Sequence, residues 1–577
     1  MLRKLLVVGG IIALIGASPA AAQGPVKGAD GIGDAYYPRL GNGGYDALHY
    51  TLDLAVDVER NAVAGSATID ALATQELQTF NLDFAGLTVE AVSVDGTPVE
   101  YDRQDGELVI IPPAPLPAGE PFTVQVVYHG QPEPVRSSAI PIRMGWNNFG
   151  TGIFVAGEPV GASSWYPVNE HPLDKATYTL RITAPEPYVV AANGLLQETI
   201  PQSEGVTYVW ESRHPIASYL VTVNIDDFVL QTSEGPGGLP LRNYFPADVA
   251  GEAAADFAPT ADMIAFFSSV FGPYPFEAYG VVVIDAPLGF ALETQTLSIF
   301  SRSWVTDPQP LDESVAHELA HQWFGDSVSL AEWRDIWLNE GFATYASWLW
   351  SEYTGGPAAL EQIVSRTYRR ILDATEQYTT TITRSQLLDH LAGAALAGRT
   401  FPADALAEAV RLLLRDALPQ ADIERVVSDL PPDGVAGADL PAFIESLPFQ
   451  QAALGGADLA RLGELLGFEA WQGRDLRLLY GPFAPPGLAP PDDLFNPGVY
   501  YRGALLLHAL RARVGDEAFF DILATYYARF AYGNATTADF VAVAEEVSGE
   551  DLGAFFDVWL HDPILPDIPE MGLSAEA

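Results

Sequence analysis

The stretch His317-Glu318-Leu319-Ala320-His321, followed by Glu340, constrains this chain more than any other feature. On a helix, two histidines four apart stand on one face, one turn from each other. That spacing lets both imidazoles grip one metal ion. Eighteen residues separate His321 from Glu340. Glu340 sits in Trp337-Leu338-Asn339-Glu340-Gly341-Phe342-Ala343, which opens a second apolar helical run ending near Gly355-Gly356. A carboxylate from that helix completes a His2Glu set and leaves a fourth position open for water. Such a set is a catalytic zinc arrangement, not a closed structural one. Glu318 lies between the two histidines, where it can take a proton from that water. The bland alternative is a pair of ordinary helix histidines. With nine His in 577 residues, a chance HExxH arises on the order of one time in a hundred.

Length and composition set the frame around this site. A chain of 577 residues accommodates two or three domains with sizeable cores. Its 48% hydrophobic content marks an ordered globular protein. There is no Cys, so thiol chemistry, disulfides and a lipoprotein anchor are excluded. The metal set must then come from His and carboxylate. The formal net charge is −46. A field of that sign disfavours nucleic acid and anionic lipid, and it also keeps a secreted protein soluble.

The N-terminus has the form of a secretory signal. Arg3 and Lys4 form a short basic region, Leu5 to Gly16 is apolar but short for a bilayer span, and Ala20-Ala21-Ala22 before Gln23 fits a cleavage site. The expected division is a signal peptide over 1–22, an extension over 23–44, a β domain over 45–232 and a peptidase-like domain over 233–577. Tyr50, Leu52, Leu54, Val56 and Val58 alternate as a half-buried strand does, and so do Tyr178, Leu180 and Ile182. The turn-rich Ser233-Glu234-Gly235-Pro236-Gly237-Gly238 reads as the boundary. Beyond about 250 the pattern turns helical. Residues from about 375 to 485 read as a small helical insertion between Pro-rich joints, with Leu406, Val410, Leu413 and Leu414 in helical period. Near the end, Thr536 and Asp539 are spaced as a capping box.

HELAHQWFGD with WLNEGFATY resembles the aminopeptidase N and leukotriene hydrolase family of zinc metallopeptidases (the gluzincins), from about residue 40 to about 562. The resemblance implies an α+β multidomain fold. A saddle-like antiparallel β domain comes first, then a thermolysin-like, mainly helical zinc peptidase domain carrying the insertion. It also implies that the further C-terminal domains of larger members are missing. His317, His321 and Glu340 would hold one Zn2+, and Glu318 would be the base. Glu293, in Gly289-Phe290-Ala291-Leu292-Glu293-Thr294-Gln295, stands at the place of the family's GAMEN motif, whose Glu binds the substrate's free amino group from an edge strand. Phe290, Leu292 and Thr294 replace that motif's Gly, Met and Asn. Trp165 to Ala176 resembles the family's P-C-x-D-x-P-x-x-K-A segment with Glu170 for Asp. Twelve residues before it, Glu158 takes the place of the second amine-binding group. Tyr500, in Val499-Tyr500-Tyr501-Arg502-Gly503, matches Y-x-R-G, whose Tyr binds the oxyanion. Asn339 and Asp335 are candidates either to support the ligands or to start the helix.

The expected protein is a secreted or periplasmic zinc aminopeptidase acting on peptides with a free N-terminus. It has no nucleic-acid partner and no stable membrane insertion once the signal is removed. A zinc endopeptidase or an epoxide hydrolase on the same fold is the near alternative. A non-catalytic exported binding protein is the alternative of another class.

Overall fold

A computed structural model describes residues 25–137, 139–140, 142–305, 311–377, 379–392, 396, 398–466, 483–562 and 564–574. The expected signal peptide and residues 467–482 of the expected insertion lie outside the described residues. No helix among the described residues is long and apolar enough to cross a membrane.

The first part is β-rich, as its alternation requires. Its largest sheet has eight strands, in spatial order 195–202, 205–216, 176–184, 45–57, 62–73, 121–130, 88–94 and 97–98. Along Tyr45–Asp57 the buried side is first Tyr45 and Ala47, then Tyr50, Leu52, Leu54 and Val56. The phase changes at a bulge between Ala47 and His49. An extra residue there flips every later side chain to the other face. In this otherwise antiparallel sheet, strands 45–57 and 176–184 run parallel, with Leu52 opposite Leu180. More than a hundred residues of other strands connect them, so the chain can return in the same direction. A second sheet of the β-rich part has five strands, in the order 135–136, 143–148, 153–156, 223–226 and 189–192.

The expected boundary at 232/233 falls inside a hairpin. Strand Phe228–Glu234 pairs with Pro240–Pro246 and belongs to a second-domain sheet completed by Val281–Ile284 and Ser298–Ser301. Gly235, Pro236, Gly237 and Gly238 form its turn, and turn chemistry alone does not distinguish a hairpin from a linker. Strand Phe228–Glu234 therefore shares its sheet with the strands that follow it, not with those of the eight-stranded sheet.

The second part is helical around one long element. Trp337–Gly355 has fourteen consecutive buried residues, Trp337 to Trp350. A helix buried on all sides sits at the centre of its domain. It stops at Gly356, whose φ of 80° suits glycine. Asp312–Ala320 packs on it from one side and Pro497–Val514 from another. The latter starts cleanly: Pro497 occupies the first turn, and the Asn496 side chain accepts from Gly498 N–H. The capping box of Thr536 and Asp539 opens helix Thr537–Ser548 as the spacing requires.

The insertion has a hydrophobic core of its own, built from Ile382, Leu406, Val410, Leu413, Leu440, Leu459 and their neighbours. Its helices are Arg384–Ala392, Ala403–Leu414, Gln420–Ser428, Leu440–Ser446 and Gly456–Leu466. Strand Thr379–Thr383 pairs with Gln451–Gly455. That pairing ties the entry strand of the subdomain to the strand just before helix Gly456–Leu466.

Candidate active site

Helix Asp312–Ala320 ends one residue short of His321, which still has helical φ and ψ of −56° and −26°. Both imidazoles therefore keep the one-turn spacing. His317 Nε2 lies 3.1 Å from His321 Nε2 and 3.3 Å from Glu340 Oε2, and His321 Nε2 lies 3.5 Å from that oxygen. A tetrahedral zinc held at about 2.0–2.1 Å has ligand atoms about 3.3 Å apart. The three atoms already form one face of such a tetrahedron, so the residues fit the ion. His321 donates its other ring N–H to the Phe324 carbonyl at 3.1 Å, which leaves Nε2 free to bind metal.

Glu318 is buried on the same helix and faces the same cavity. Burial pushes its carboxyl well above the usual range, with Glu293 and Glu340 adding to the shift and His321 opposing it. A carboxyl so placed can both accept and return a proton.

Glu158 and Glu293 line this cavity together with the three metal-binding candidates. They are 5% and 2% exposed, and each has a carboxylate oxygen without a hydrogen-bond partner. Burial raises both acids, and Glu293 is the largest charge acting on Glu158. Two buried carboxyl groups with open oxygens on one cavity can accept hydrogen bonds from a cationic group such as an ammonium.

The segment around Glu293 differs from the expected edge strand. Leu292 makes a single antiparallel bridge to Ile299, with N–H to carbonyl distances of 3.0 and 2.7 Å. The chain then turns sharply, because Leu297 N–H bonds to the Thr294 carbonyl and Thr296 adopts a φ of 69°. Arg242 Nη2 and the Gly194 N–H both donate to the Thr296 hydroxyl and hold this unfavourable backbone in place.

Tyr500 reaches the site. Its ring stacks on His317 with centroids 6.0 Å apart, and it lines the same cavity. Burial pushes its hydroxyl well above the usual phenol range, so it remains a hydrogen-bond donor. Tyr501 turns away and packs between Phe483 and the Arg370 guanidinium. Arg502 is buried and donates to the carbonyls of Trp559, Val558 and Asp562 at the end of helix Gly553–His561.

Asp335 stands elsewhere. It accepts from the Thr537 hydroxyl at 2.7 Å and ties helix Thr537–Ser548 to the turn before Trp337. Asn339 donates to the Tyr219 hydroxyl at 3.3 Å.

Two positioning roles are not visible in residue spacing. Gln322, next to His321, donates to the Glu293 carbonyl at 2.9 Å and accepts from Thr296 N–H at 2.8 Å. It fixes the loop of Glu293 to the helix of His317 and His321. Glu170 accepts from the backbone N–H groups of Gly161, Ala162 and Ser163. It therefore anchors the loop that leads out of Glu158. The twelve-residue offset that located Glu158 was the only sequence signal of this link.

Comparison with known proteins agrees with this geometry. The Peptidase family M1 N-terminal domain matches residues 46–220, and the Peptidase family M1 domain matches 256–390 and 488–559. Aminopeptidase M1-B of Oryza sativa subsp. japonica is 24% identical over 93% of this chain and 51% of its own length. Aminopeptidase 2 of Candida albicans is 26% identical over 52% of this chain and 34% of its own. The chain thus spans about a third to a half of these curated relatives. Among solved structures, the M1 zinc metallopeptidase from Deinococcus radiodurans matches with a TM-score of 0.67 at 26% identity, covering 93% of this chain and 98% of that one. Native yeast LTA4 hydrolase shares the fold, with a TM-score of 0.59 at 18% identity over 90% of this chain and 68% of that one. With both domain models matched in sequence order over more than half of its length, the chain belongs to peptidase family M1.

Proposed function

We propose that this protein is an exported zinc aminopeptidase that removes N-terminal residues from peptides and holds one zinc per chain. The observation that carries the reading is the pair of buried carboxylates, Glu158 and Glu293, with open oxygens in the cavity that the metal-binding residues share. A substrate's free α-ammonium satisfies both, and the first peptide bond then lies toward His317, His321 and Glu340. Zinc, when bound, polarises the scissile carbonyl and makes water acidic enough to attack at neutral pH. Glu318 accepts the proton of the attacking water and passes it to the leaving amine. Tyr500 donates a hydrogen bond to the carbonyl oxygen as negative charge develops on it. A crystal structure of a mutant of the Deinococcus radiodurans enzyme holds a Tyr-Ser-Ala substrate, in keeping with a site for short free peptides.

The test compares free and N-acetylated forms of one peptide. Acetylation removes the ammonium, so cleavage should fall by at least about a hundredfold, as expected for two lost charge-assisted contacts. Equal rates on both forms would replace the exopeptidase reading with an endopeptidase one. Export rests on Arg3, Lys4, the apolar Leu5–Gly16 and Ala20-Ala21-Ala22. Recovery of the mature protein with an intact Met1 in the cytoplasm would reject it.

A further inference from the structure

The cavity beside the metal-binding residues is about 410 Å³, within the range of small-ligand sites. Its charged lining is four carboxylates, Glu158, Glu293, Glu318 and Glu340. All four already have a role: two hold the ammonium, one is the base and one binds metal. Among the described residues, no Lys or Arg lines it. The rest of the wall is mostly apolar. Ile140, Ile142 and Met144 come from the β domain, and Phe290, Trp304 and Phe495 come from the peptidase domain. Met144 is buried at 2% exposure, and Ile142 stands open at 41%.

We infer that this wall is the pocket for the substrate's first side chain, that it selects large apolar residues of the Leu, Met and Phe class, and that Phe290 sets its size. The inference rests on the aminopeptidase reading and deepens it. The ammonium is fixed at Glu158 and Glu293, and the adjacent carbonyl is fixed at the metal. The Cα between them is thereby placed, and its side chain has only the apolar wall to lie against. A Lys or Arg side chain would lose its hydration there with every nearby carboxylate already engaged. An Asp or Glu would bring another negative charge beside four carboxylates, with no Lys or Arg among the described lining residues to meet it. Phe290 stands where the resembled motif has glycine, so this chain adds a ring to the wall beside Trp304 and Phe495. A pocket that gains apolar contact with each added methylene discriminates by about tenfold or more per group.

The experiment uses the zinc-loaded full chain and a set of aminoacyl 4-nitroanilides: Ala, Leu, Met, Phe, Lys and Glu. Leu, Met and Phe should exceed Ala in kcat/KM by about tenfold or more, and should exceed Lys and Glu by about a hundredfold. Binding of free L-leucine, L-phenylalanine, L-lysine and L-glutamate to the zinc-loaded Glu318→Gln protein is measured in parallel and should follow the same order. Phe290→Ala should lower the Leu-over-Ala ratio about tenfold with zinc content unchanged, and Trp304→Ala is the second variant if that one folds poorly. Lys or Glu ranking level with Leu in both turnover and binding overturns the inference. So do unchanged ratios in both variants. A protein that binds leucine and phenylalanine in this order yet cleaves none of the set supports the pocket and sinks the aminopeptidase reading instead.

Discussion

Gly341 and Gly503 face each other where helix Trp337–Gly355 crosses helix Pro497–Val514. A Cβ built on Gly503 would stand 3.0 Å from the Gly341 Cα, and one built on Gly341 would stand 3.1 Å from the Gly503 backbone. The first helix carries Glu340 and the second carries Tyr500. The glycine pair therefore sets the distance between Glu340 and Tyr500.

Gly503→Ala should force the helices apart, because the opposing atoms are backbone and cannot rotate away. The expected cost is about 1–3 kcal/mol of stability, as for other overpacked sites. Turnover should fall further than the stability loss explains, since Tyr500 moves relative to Glu340. Denaturation midpoints and kcat of a zinc-saturated preparation check this. An alanine variant with unchanged midpoint and kcat would show that the crossing is not tight.

Chelation should abolish activity, and zinc should restore it. Glu318→Gln should keep its zinc and lose about 10²–10⁴-fold in kcat, because the change removes the base and no ligand. His321→Ala, by contrast, should lose the zinc itself. Zinc content measured beside kcat separates the two outcomes, and a metal-free preparation with full activity would reject the site.

The nearness of His317 and His321 is legible because helical periodicity determines it, and the following apolar helix brings Glu340 to them. Helix ends at Gly356 and Thr536 were legible for the same reason: caps and stops are local chemistry. Other features depend on residues far apart in the chain. Nothing around Leu52 announces that its neighbour is Leu180 in a parallel strand. The glycines at 235, 237 and 238 give the same signal whether they close a hairpin or join two domains. Gln322 and Glu170 act by bonding to backbone groups, whose identity leaves no mark in the sequence. Glu158, Glu293 and Tyr500 were located by family resemblance, and the fold brings all three to one cavity.

Tyr500→Phe should lower kcat by about 10²–10³, the cost of losing one oxyanion donor, with zinc content and folding unchanged. Tyr501→Phe should leave kcat unchanged, because that ring packs against Phe483 and Arg370 and is not among the described residues lining the cavity. Steady-state kinetics on the two variants decide between the adjacent tyrosines, and an equal loss in both would undo the assignment.

His508 connects acidity to the same helix crossing. It lies on the Tyr500 helix and meets the Tyr345 hydroxyl, on the Glu340 helix, at 3.1 Å. Burial, helped by nearby Arg511 and opposed by Asp516, lowers its pKa from 6.5 to about 4. The unfolded chain takes up the proton near pH 6.5, while the folded protein resists until about pH 4. Folding therefore releases a proton throughout that window, and stability falls as pH drops from 6.5 toward 4. Above pH 6.5 the ring is neutral in both states and contributes no slope. The full shift corresponds to about 3 kcal/mol, reduced to about 2 kcal/mol for a ring with some solvent contact. His508→Gln keeps a polar side chain at the site but cannot be protonated. Its urea midpoint should decline less than that of the wild type between pH 6.5 and 4. Parallel curves for the two proteins would mean that His508 is charged in the folded state and does not couple acid to the crossing.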